Sequence, residues 1–269
     1  MSEIVAVLGA GKMGEALLSG LLRAGRASSD LLFTERHEDR ATDLSDRLGI
    51  ESVSAQDAVA RADTLLVAVK PQEIGALLDD ISPVVSPQNL VISIVAGVPT
   101  TAFEKHLAER TPVVRVMSNT PVFVDEAMSA IAAGAHADES HLERTEALLS
   151  PVGKVIRVPE YQLDAVTALS GSGPAYFFFL VEAMIDAGIL LGLPRAVAAD
   201  LIVQTAIGSA VMLRDSGQHP VQLREAVTSP GGTTIAAIRE LENHGVRAAL
   251  LAALEAARNR SQELAAGAG

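Results

Sequence analysis

Three closely spaced glycines follow the first apolar run of the chain. Gly9, Gly11 and Gly14 form a G-x-G-x-x-G sequence after Val5–Leu8, and helical periodicity begins at Glu15. In such a strand–turn–helix unit the first glycine permits a tight turn, the second lets a pyrophosphate approach the backbone, and the third lets the helix pack close to the strand. Free N–H groups and the positive end of the helix then face the phosphates. At the start of a βαβ pattern, this sequence favours a dinucleotide-binding site over a structural turn.

Two charged residues follow the second apolar run, Leu31–Thr34. Residues at this position of a dinucleotide-binding unit face the adenosine ribose, where a carboxylate suits the free 2′-hydroxyl of NAD and an arginine suits the 2′-phosphate of NADP. Both types are present, as Glu35 and Arg36, and Arg40 follows one turn later. We therefore expect NADP(H) to be preferred and NAD(H) to be usable. The alternative is that these residues only begin a solvent-exposed helix.

Two runs of small residues in the second half could bind a small anion. Leu169–Tyr176 contains Ser172 and places a proline at a helix start, so its hydroxyls and free N–H groups could hold a carboxylate. Ala226–Thr234 contains Gly231 and Gly232 ahead of a predicted helix, where exposed N–H groups form a nest for an anion. Either run alone could be a helix cap. Together, beside a dinucleotide-binding unit, they favour a substrate site.

Alternating strands and helices in the first half must position the cofactor loops. They predict a doubly wound, mostly parallel sheet in an α/β Rossmann-like domain over residues 1–158. Ligands bind beyond the carboxyl ends of such strands, so Ala68–Pro71, with Lys70, lies where a cofactor would pass. The predicted strands are 5–8, 31–34, 50–53, one from 63 that runs into Pro71, one from 91 that runs into Gly97, 113–117, 127–133 and 153–158.

Helical periodicity replaces the strand signals in the second half, which predicts an all-α dimerisation and substrate domain over residues 159–269. Ala175–Leu193 and Asp200–Met212 are apolar on more than one face. Such helices need cover on all sides, and a second subunit is the expected cover; the alternative is that the faces are misassigned. Because Ala175–Leu193 carries Glu182 and Asp186, we expect a buried helix rather than a membrane span. The predicted helices lie near residues 160–169, 174–191, 195–216, 219–227, 232–243 and 246–266.

Composition narrows the classes of function. The net charge of −12 argues against a nucleic-acid partner or an anionic membrane surface. The sequence has no cysteine, which excludes disulfides and thiolate chemistry, and it has no cluster with metal-ligand spacing. The apolar run Val5–Leu8 is too short for a secretory leader. We therefore expect a cytoplasmic protein without a metal site.

Several motifs together carry a resemblance to a known family. The matching stretches are Gly9–Gly14, Ala68–Pro71, Asn119–Pro121, Asp164–Thr167, Leu169–Tyr176, Val227–Thr234 and Leu241–Arg247. With these motifs the chain resembles the pyrroline-5-carboxylate reductases over essentially its whole length. The resemblance implies an N-terminal NAD(P)H domain, a helical domain that interlocks with that of a partner, and assembly as a dimer or a ring of dimers. It also implies hydride transfer to the C=N bond of 1-pyrroline-5-carboxylate to give L-proline, the last step of proline biosynthesis.

The resemblance also implies roles for individual residues. Those expected to contact the cofactor are Leu8, Gly9, Ala10, Gly11, Lys12, Met13, Gly14, Arg36, Ala68, Val69, Lys70, Pro71, Val95, Ala96, Gly97 and Asn119. Those expected to hold the substrate carboxylate and ring nitrogen are Ser229, Gly231, Gly232, Thr233 and Thr234, beside Ser172 of the first small-residue run. Thr234 is the expected catalytic residue. Ser118 departs from the proline that many members carry there, Ala55 from a common asparagine, and Gly217 from a frequent acidic residue.

Two other classes of function compete with this interpretation. A β-hydroxyacid-type dehydrogenase would need a lysine in its helical domain to move the alcohol proton, but the last lysine of this chain is Lys154. A protonated imine, in contrast, is already electrophilic and needs mainly proximity and orientation. A non-catalytic NAD(P)-binding sensor would not need the two small-anion loops. Both observations favour the reductase.

Overall fold

A computed structural model describes residues 3–266, which form two units. Unit 1 comprises the chain up to Ser172 together with the residues from Ala257 onward, and unit 2 comprises Gly173–Ala256. Residues 1–2 and 267–269 of the two predicted domains lie outside the described part. The predicted boundary after residue 158 follows the last strand and remains a prediction.

Unit 1 is built on an eight-stranded sheet. The strands are β1 (Val5–Leu8), β2 (Leu31–Thr34), β3 (Glu51–Ser52), β4 (Thr64–Val67), β5 (Leu90–Ser93), β6 (Val113–Met117), β7 (Ala127–Ala133) and β8 (Gly153–Arg157). Their order is β3-β2-β1-β4-β5-β6-β7-β8. Neighbouring strands are parallel except for β6 and β7, which are antiparallel. The predicted doubly wound, mostly parallel sheet is confirmed.

Helices cover both faces of this sheet. They are α1 (Lys12–Arg23), α2 (Glu38–Leu48), α3 (Ala55–Arg61), α4 (Ile74–Ile81), α5 (Thr100–Glu104), α6 (Glu139–Leu149) and α7 (Leu163–Val166). Side chains of one strand alternate between the faces: Val5 and Val7 belong to one apolar cluster, and Ala6 and Leu8 belong to the other. The strand order reverses between β1 and β4, and ligands of such sheets bind at this reversal.

The predicted helix near residues 160–169 is divided into three pieces. A 3₁₀ turn at Glu160–Gln162 leads into α7, and a π-helical turn follows at Thr167–Gly171. The wider π turn places the Ser172 N–H 2.8 Å from the Thr167 carbonyl oxygen. Single π turns are rare and occur frequently at functional sites, and this one includes the first residues of the Leu169–Tyr176 run.

Unit 2 consists of helices. They are α8 (Gly173–Leu190), α9 (Arg195–Asp215), α10 (Pro220–Ala226), α11 (Thr233–Asn243) and α12 (Val246–Ala266), and the last part of α12 belongs to unit 1. Among residues 173–256, only Gly173 and Ala198 are buried within the single chain. The apolar side chains of α8 and α9 are therefore largely exposed in the single chain, so the burial that the sequence predicts requires the second subunit expected to cover them.

Length and hydropathy alone would let two segments of the described chain cross a membrane, Glu160–Leu190 and Arg195–Asp215. The same properties are expected of helices that form the core of a subunit interface. The choice between these two environments depends on what covers the helices.

Candidate cofactor and substrate sites

The glycine turn after β1 has the geometry that a pyrophosphate requires. Gly9 has a φ of +97°, and a Cβ there would lie 2.7 Å from Cγ1 of Val69. A Cβ on Gly14 would overlap the carbonyl oxygen of Gly9, so only glycine lets α1 begin this close to the strand. In contrast, a Cβ on Gly11 would have no heavy atom within 4 Å. The open space beside the Gly11 backbone fits a bound phosphate group.

Hydrogen bonds from β2 and α2 hold this turn in place. The Thr34 hydroxyl accepts from the Gly9 N–H at 3.0 Å, and the Thr34 carbonyl accepts from the Ala10 N–H at 2.9 Å. The Arg40 guanidinium donates to the Ala10 carbonyl oxygen at 3.0 Å and pairs with Glu15 at 2.9 Å. Arg40 is thus committed to positioning the phosphate turn. The sequence suggests it as a second cation for the 2′-phosphate, and that role stays a prediction beside this structural one.

A cavity of about 450 Å³ lies beyond the carboxyl ends of β1, β2 and β4. Six of the predicted cofactor residues line it: Gly9, Gly11, Arg36, Ala68, Val69 and Lys70. Its volume falls within the range of small-molecule sites. Unit 1 therefore brings the glycine turn, the end of β2 and the loop after β4 together around one cleft.

Two charged residues at the end of β2 have different surroundings in this cavity. The Glu35 side chain is 10% exposed, and its carboxylate accepts from the N–H groups of Arg36 (2.8 Å) and His37 (3.1 Å) and pairs with Arg40 at 3.3 Å. The Arg36 side chain is 62% exposed and pairs with Glu73 at 3.0 Å. The carboxylate is already engaged by protein donors, whereas the guanidinium still offers N–H groups to a ligand.

The other predicted cofactor residues do not line this cavity. They are Leu8, Ala10, Lys12, Met13, Gly14, Pro71, Val95, Ala96, Gly97 and Asn119. Asn119 is buried, and its amide donates to the carbonyl oxygen (3.2 Å) and the hydroxyl (3.3 Å) of Ser170 and accepts from the Met128 N–H at 2.9 Å. These bonds join the loop after β6 to the π turn, a role that the sequence does not reveal.

Eleven further residues line the cavity and are not among the cofactor residues predicted from the sequence. They are Thr34, Glu35, His37, Arg40, Val53, Ser54, Ala55, Glu73, Ala76, Leu77 and Asp80. Of these, Glu35, Arg40 and Ala55 were considered from the sequence, but Glu73 and Asp80 were not. Both carboxylates belong to the segment after β4, and only the strand order brings that segment beside the end of β2. A search for charged residues downstream of the β4 loop would have found them.

The end of α12 packs against the turn after β5. A Cβ on Gly97, whose φ is +74°, would contact Cβ of Leu264 at 3.5 Å. Three residues earlier, the buried Ser261 hydroxyl donates to the Asp164 carboxylate at 2.7 Å. The predicted cofactor turn Val95–Gly97 is therefore supported by the C-terminal helix, and Asp164, part of a matching motif, fixes that helix.

The second small-residue run, Ala226–Thr234, lies in unit 2 and ends in the first turn of α11. Gly231 has a φ of +70°, and Gly232 is the N-cap residue, with no side chain that caps the helix. Thr233 and Thr234 are the first two residues of the helix; Thr233 is exposed and Thr234 is half-buried. Thr234 is thus not the cap of α11. Ser229–Thr234 lies in unit 2, whereas Ser172 is the last residue of the first segment of unit 1.

The strand order, the glycine turn and the cavity define a dinucleotide-binding protein of the Rossmann class with an added helical unit. The family model for NADP oxidoreductase coenzyme F420-dependent matches residues 4–97, and the model for pyrroline-5-carboxylate reductase dimerisation matches residues 160–264. The chain is 45% identical to a pyrroline-5-carboxylate reductase of Mycobacterium tuberculosis, over 97% of this chain and 96% of the relative. The chain belongs to the pyrroline-5-carboxylate reductase family.

Solved structures agree with this assignment. A pyrroline-5-carboxylate reductase from Coxiella burnetii is 35% identical with a TM-score of 0.93, covering 98% of this chain and 99% of that one. A pyrroline carboxylate reductase from Plasmodium falciparum with NADP bound is 28% identical with a TM-score of 0.88, covering 98% of both chains. A 3-hydroxyisobutyrate dehydrogenase of Mycobacterium tuberculosis, at 21% identity and a TM-score of 0.51, shares the fold alone.

Family membership decides between the classes of function that the sequence left open. The chain is an NAD(P)H-dependent oxidoreductase, and the predicted pyrroline-5-carboxylate reductase activity is confirmed over the two competing classes. The dimerisation model covers α8 and α9, so the predicted self-association is also confirmed. A second subunit is accordingly the cover that these exposed apolar helices require.

Proposed function

We propose that the N-terminal end of α11 holds the carboxylate and ring nitrogen of 1-pyrroline-5-carboxylate while NADPH, bound at the cavity of unit 1, reduces the C=N bond to give L-proline. The observation that carries this proposal is the N-cap of α11. The N–H groups of the first turn of a helix have no intrahelical acceptor, and Gly232 has no side chain that could accept from them. They are available to a small anion, as is the positive end of the helix.

Thr234 is the proposed catalytic residue of this loop. With the substrate carboxylate on the backbone N–H groups, the Thr234 hydroxyl reaches the adjacent ring nitrogen. A hydroxyl both donates and accepts, so it can bind the imine, the iminium or the product amine. NAD(P)H bound in the cavity would supply the hydride, and the substrate as the protonated imine already carries the proton on its ring nitrogen. The chain then needs to supply mainly orientation, which agrees with the absence of lysine after Lys154. Ser229, Gly231, Gly232 and Thr233 complete the substrate site proposed on this loop, and Ser172 of unit 1 has a separate proposed role in substrate binding.

Replacement of Thr234 tests this assignment. We expect Thr234→Ala to lower kcat/KM for 1-pyrroline-5-carboxylate by ~10- to 100-fold, equivalent to one or two hydrogen bonds. Thr233→Ala, the matched control one residue earlier, has a much milder effect. The melting temperature of both variants stays close to that of the unmodified protein because neither residue caps α11. Normal turnover by Thr234→Ala, or a defect explained wholly by lost folding, contradicts the assignment.

Arg36 is the proposed determinant of a preference for NADPH over NADH. It lines the cavity at the end of β2 and is 62% exposed, and the relative from Plasmodium falciparum was solved with NADP bound. We expect Arg36→Ala to raise KM for NADPH by ~10-fold, the size of one charge-assisted contact, and to leave KM for NADH nearly unchanged. Equal losses with both cofactors would exclude this role.

The remaining proposals concern the other cofactor residues and the setting of the enzyme. Leu8–Gly14, Ala68–Pro71, Val95–Gly97 and Asn119 form the rest of the proposed cofactor site. We propose that the dimers associate further into rings and that the protein works in the cytoplasm without a nucleic-acid or membrane partner. The net charge of −12 and the lack of cysteine support that setting.

A further inference from the structure

The guanidinium proposed to receive the 2′-phosphate already has an anionic partner. Nη1 of Arg36 lies 3.0 Å from Oε1 of Glu73, and both residues line the cavity of unit 1. The other carboxylate oxygen of Glu73 accepts from the Lys70 N–H at 3.4 Å. These contacts place the Glu73 carboxylate between the end of β2 and the loop after β4, on the cavity wall that Arg36 shares.

The second carboxylate near Arg36 has a different role. Glu35 accepts from the backbone N–H of Arg36, while its charge is balanced by Arg40 at 3.3 Å. Glu73 is therefore the carboxylate that the Arg36 side chain itself contacts. An incoming 2′-phosphate would share this guanidinium with Glu73 or displace it, because both anions bind the same N–H donors.

We propose that Glu73 is a specificity-determining residue that competes with the 2′-phosphate of NADPH for Arg36 and so limits the preference for NADPH over NADH. This inference rests on the proposed role of Arg36. A free 2′-hydroxyl carries no charge, so Glu73 does not repel NADH in the same way. The carboxylate thus narrows the affinity difference between the two cofactors without taking part in hydride transfer.

The size of the effect follows from the exposure of the pair. The Arg36 and Glu73 side chains are 62% and 34% exposed, so solvent screens the repulsion between Glu73 and a phosphate. We expect the Glu73→Gln variant, which keeps the shape of the side chain and removes its charge, to bind NADP⁺ ~3- to 10-fold more tightly. The affinity for NAD⁺ changes less than about twofold. The gain in NADP⁺ affinity becomes smaller in 0.5 M salt, because the Debye length falls to about 4 Å and salt then screens the repulsion between the two anions.

Isothermal titration calorimetry of the full-length protein with NADP⁺ and with NAD⁺ measures both affinities without turnover. Asp80→Asn is the matched control because Asp80 lines the same cavity but accepts from the Gln56 side-chain amide at 3.0 Å. It removes the same charge and should change neither affinity by more than about twofold. A thermal melt of each variant verifies that it is folded.

The outcomes separate this inference from the proposal on which it rests. Tighter binding of NADP⁺ alone by Glu73→Gln, with Asp80→Asn unchanged, supports competition. Unchanged or weaker NADP⁺ binding by Glu73→Gln overturns it, as does an equal gain for NAD⁺ or the same gain in Asp80→Asn. If Arg36→Ala weakens NADP⁺ selectively while Glu73→Gln has no effect, only the role of Glu73 fails. If Arg36→Ala weakens both cofactors equally, the role of Arg36 fails and the inference fails with it.

Discussion

The two units of this chain bury their apolar residues in different ways. In unit 1 the largest core side chains, such as Phe33 and Phe103, are fully buried by helices on both faces of the sheet. In unit 2 the consecutive residues Phe177, Phe178 and Phe179 are 68–70% exposed, and Leu190 is 88% exposed. Unit 1 completes its core with its own residues, whereas unit 2 leaves large apolar side chains exposed in the single chain.

This difference explains how the two sites are made. The cofactor cavity lies among the strand ends of unit 1 and is lined by residues of that unit. The α11 loop belongs to a unit whose helices gain cover when a second subunit binds. The substrate loop should therefore depend on assembly, and the cofactor cavity should not.

The largest expected effect is the loss of the dimer when a charge is placed on α9 of unit 2. Ile207 is apolar and 53% exposed in the single chain. We expect Ile207→Asp to raise the dimer dissociation constant by at least ~100-fold, because a charge in an apolar interface lacks a partner and each tenfold corresponds to ~1.4 kcal/mol. Light scattering at micromolar protein measures the change, and activity should fall with the dimer fraction.

Val84→Asp supplies the control for that experiment. Val84 is a surface residue of unit 1 and is 39% exposed. The same change there introduces the same charge but leaves the oligomer intact. A dimeric and active Ile207→Asp variant would show that α9 does not contribute to the interface.

The sequence predicted unit 1 more closely than unit 2, for a physical reason. Strands β2, β6 and β7 begin and end at the predicted residues. Each is an apolar run whose burial is decided within the chain, so the local pattern is sufficient. The apolar pattern of α8 and α9 predicted that a second subunit covers them, and the match to the dimerisation model supports that prediction. The pattern does not specify which residues of the other copy provide the cover, because that depends on how the two subunits pack.

The next largest expected effect is on the stability of unit 1, where α1 packs closely against β1 at Gly14. A Cβ on Gly14 would overlap the Gly9 carbonyl and lie 3.1 Å from Cγ1 of Val7. We expect Gly14→Ala to destabilise unit 1 by about 2 kcal/mol, because overpacking forces α1 away from β1. This corresponds to a fall of about 4–8 °C in the melting temperature, and NADP⁺ binding measured by calorimetry should weaken as well.

Gly75→Ala in α4 is the matched control, since a Cβ there would meet no heavy atom within 4 Å. It should stabilise by about 0.5–1 kcal/mol through helix propensity. A Gly14→Ala variant as stable as Gly75→Ala would show that α1 does not need its close approach to β1.

The parts of the cofactor site that the sequence missed depend on tertiary contacts. The glycine turn is predictable because its three residues are adjacent and act on one ligand group. The ion pair of Arg36 with Glu73 joins residues 37 positions apart, and the bond from Arg40 to the Ala10 carbonyl spans 30 positions. Such pairs follow from strand order, so the identity of the residues alone cannot specify them.

The smallest expected effect concerns the start of β1, which a charge cluster attaches to the rest of unit 1. The Glu3 carboxylate accepts from Nη2 of Arg144 at 2.6 Å and from the Thr64 hydroxyl. Burial alone would raise the pKa of Glu3, but the hydrogen bonds from Thr64 and Arg144 and the charges of Arg144 and Arg26 outweigh it, so the pKa lies below its ordinary value of 4.5. The ionised form is thus favoured by folding.

A lowered pKa makes the contribution of Glu3 depend on pH in a defined direction. The stabilisation is present above pH 4.5 and is lost as the pH falls through the lower folded-state pKa. Because the Glu3 side chain is 34% exposed, we expect Glu3→Gln to cost only about 1 kcal/mol at pH 7. Urea denaturation at one fixed protein concentration measures the free energy of unfolding at pH 7 and at steps below pH 4.5. The difference in this free energy between Glu3→Gln and the unmodified protein should shrink towards zero as the pH falls.

Glu109→Gln, at an exposed position before β6, controls for the loss of one charge. A constant difference for Glu3→Gln across this pH range would mean that Glu3 stabilises β1 by packing and not by its charge.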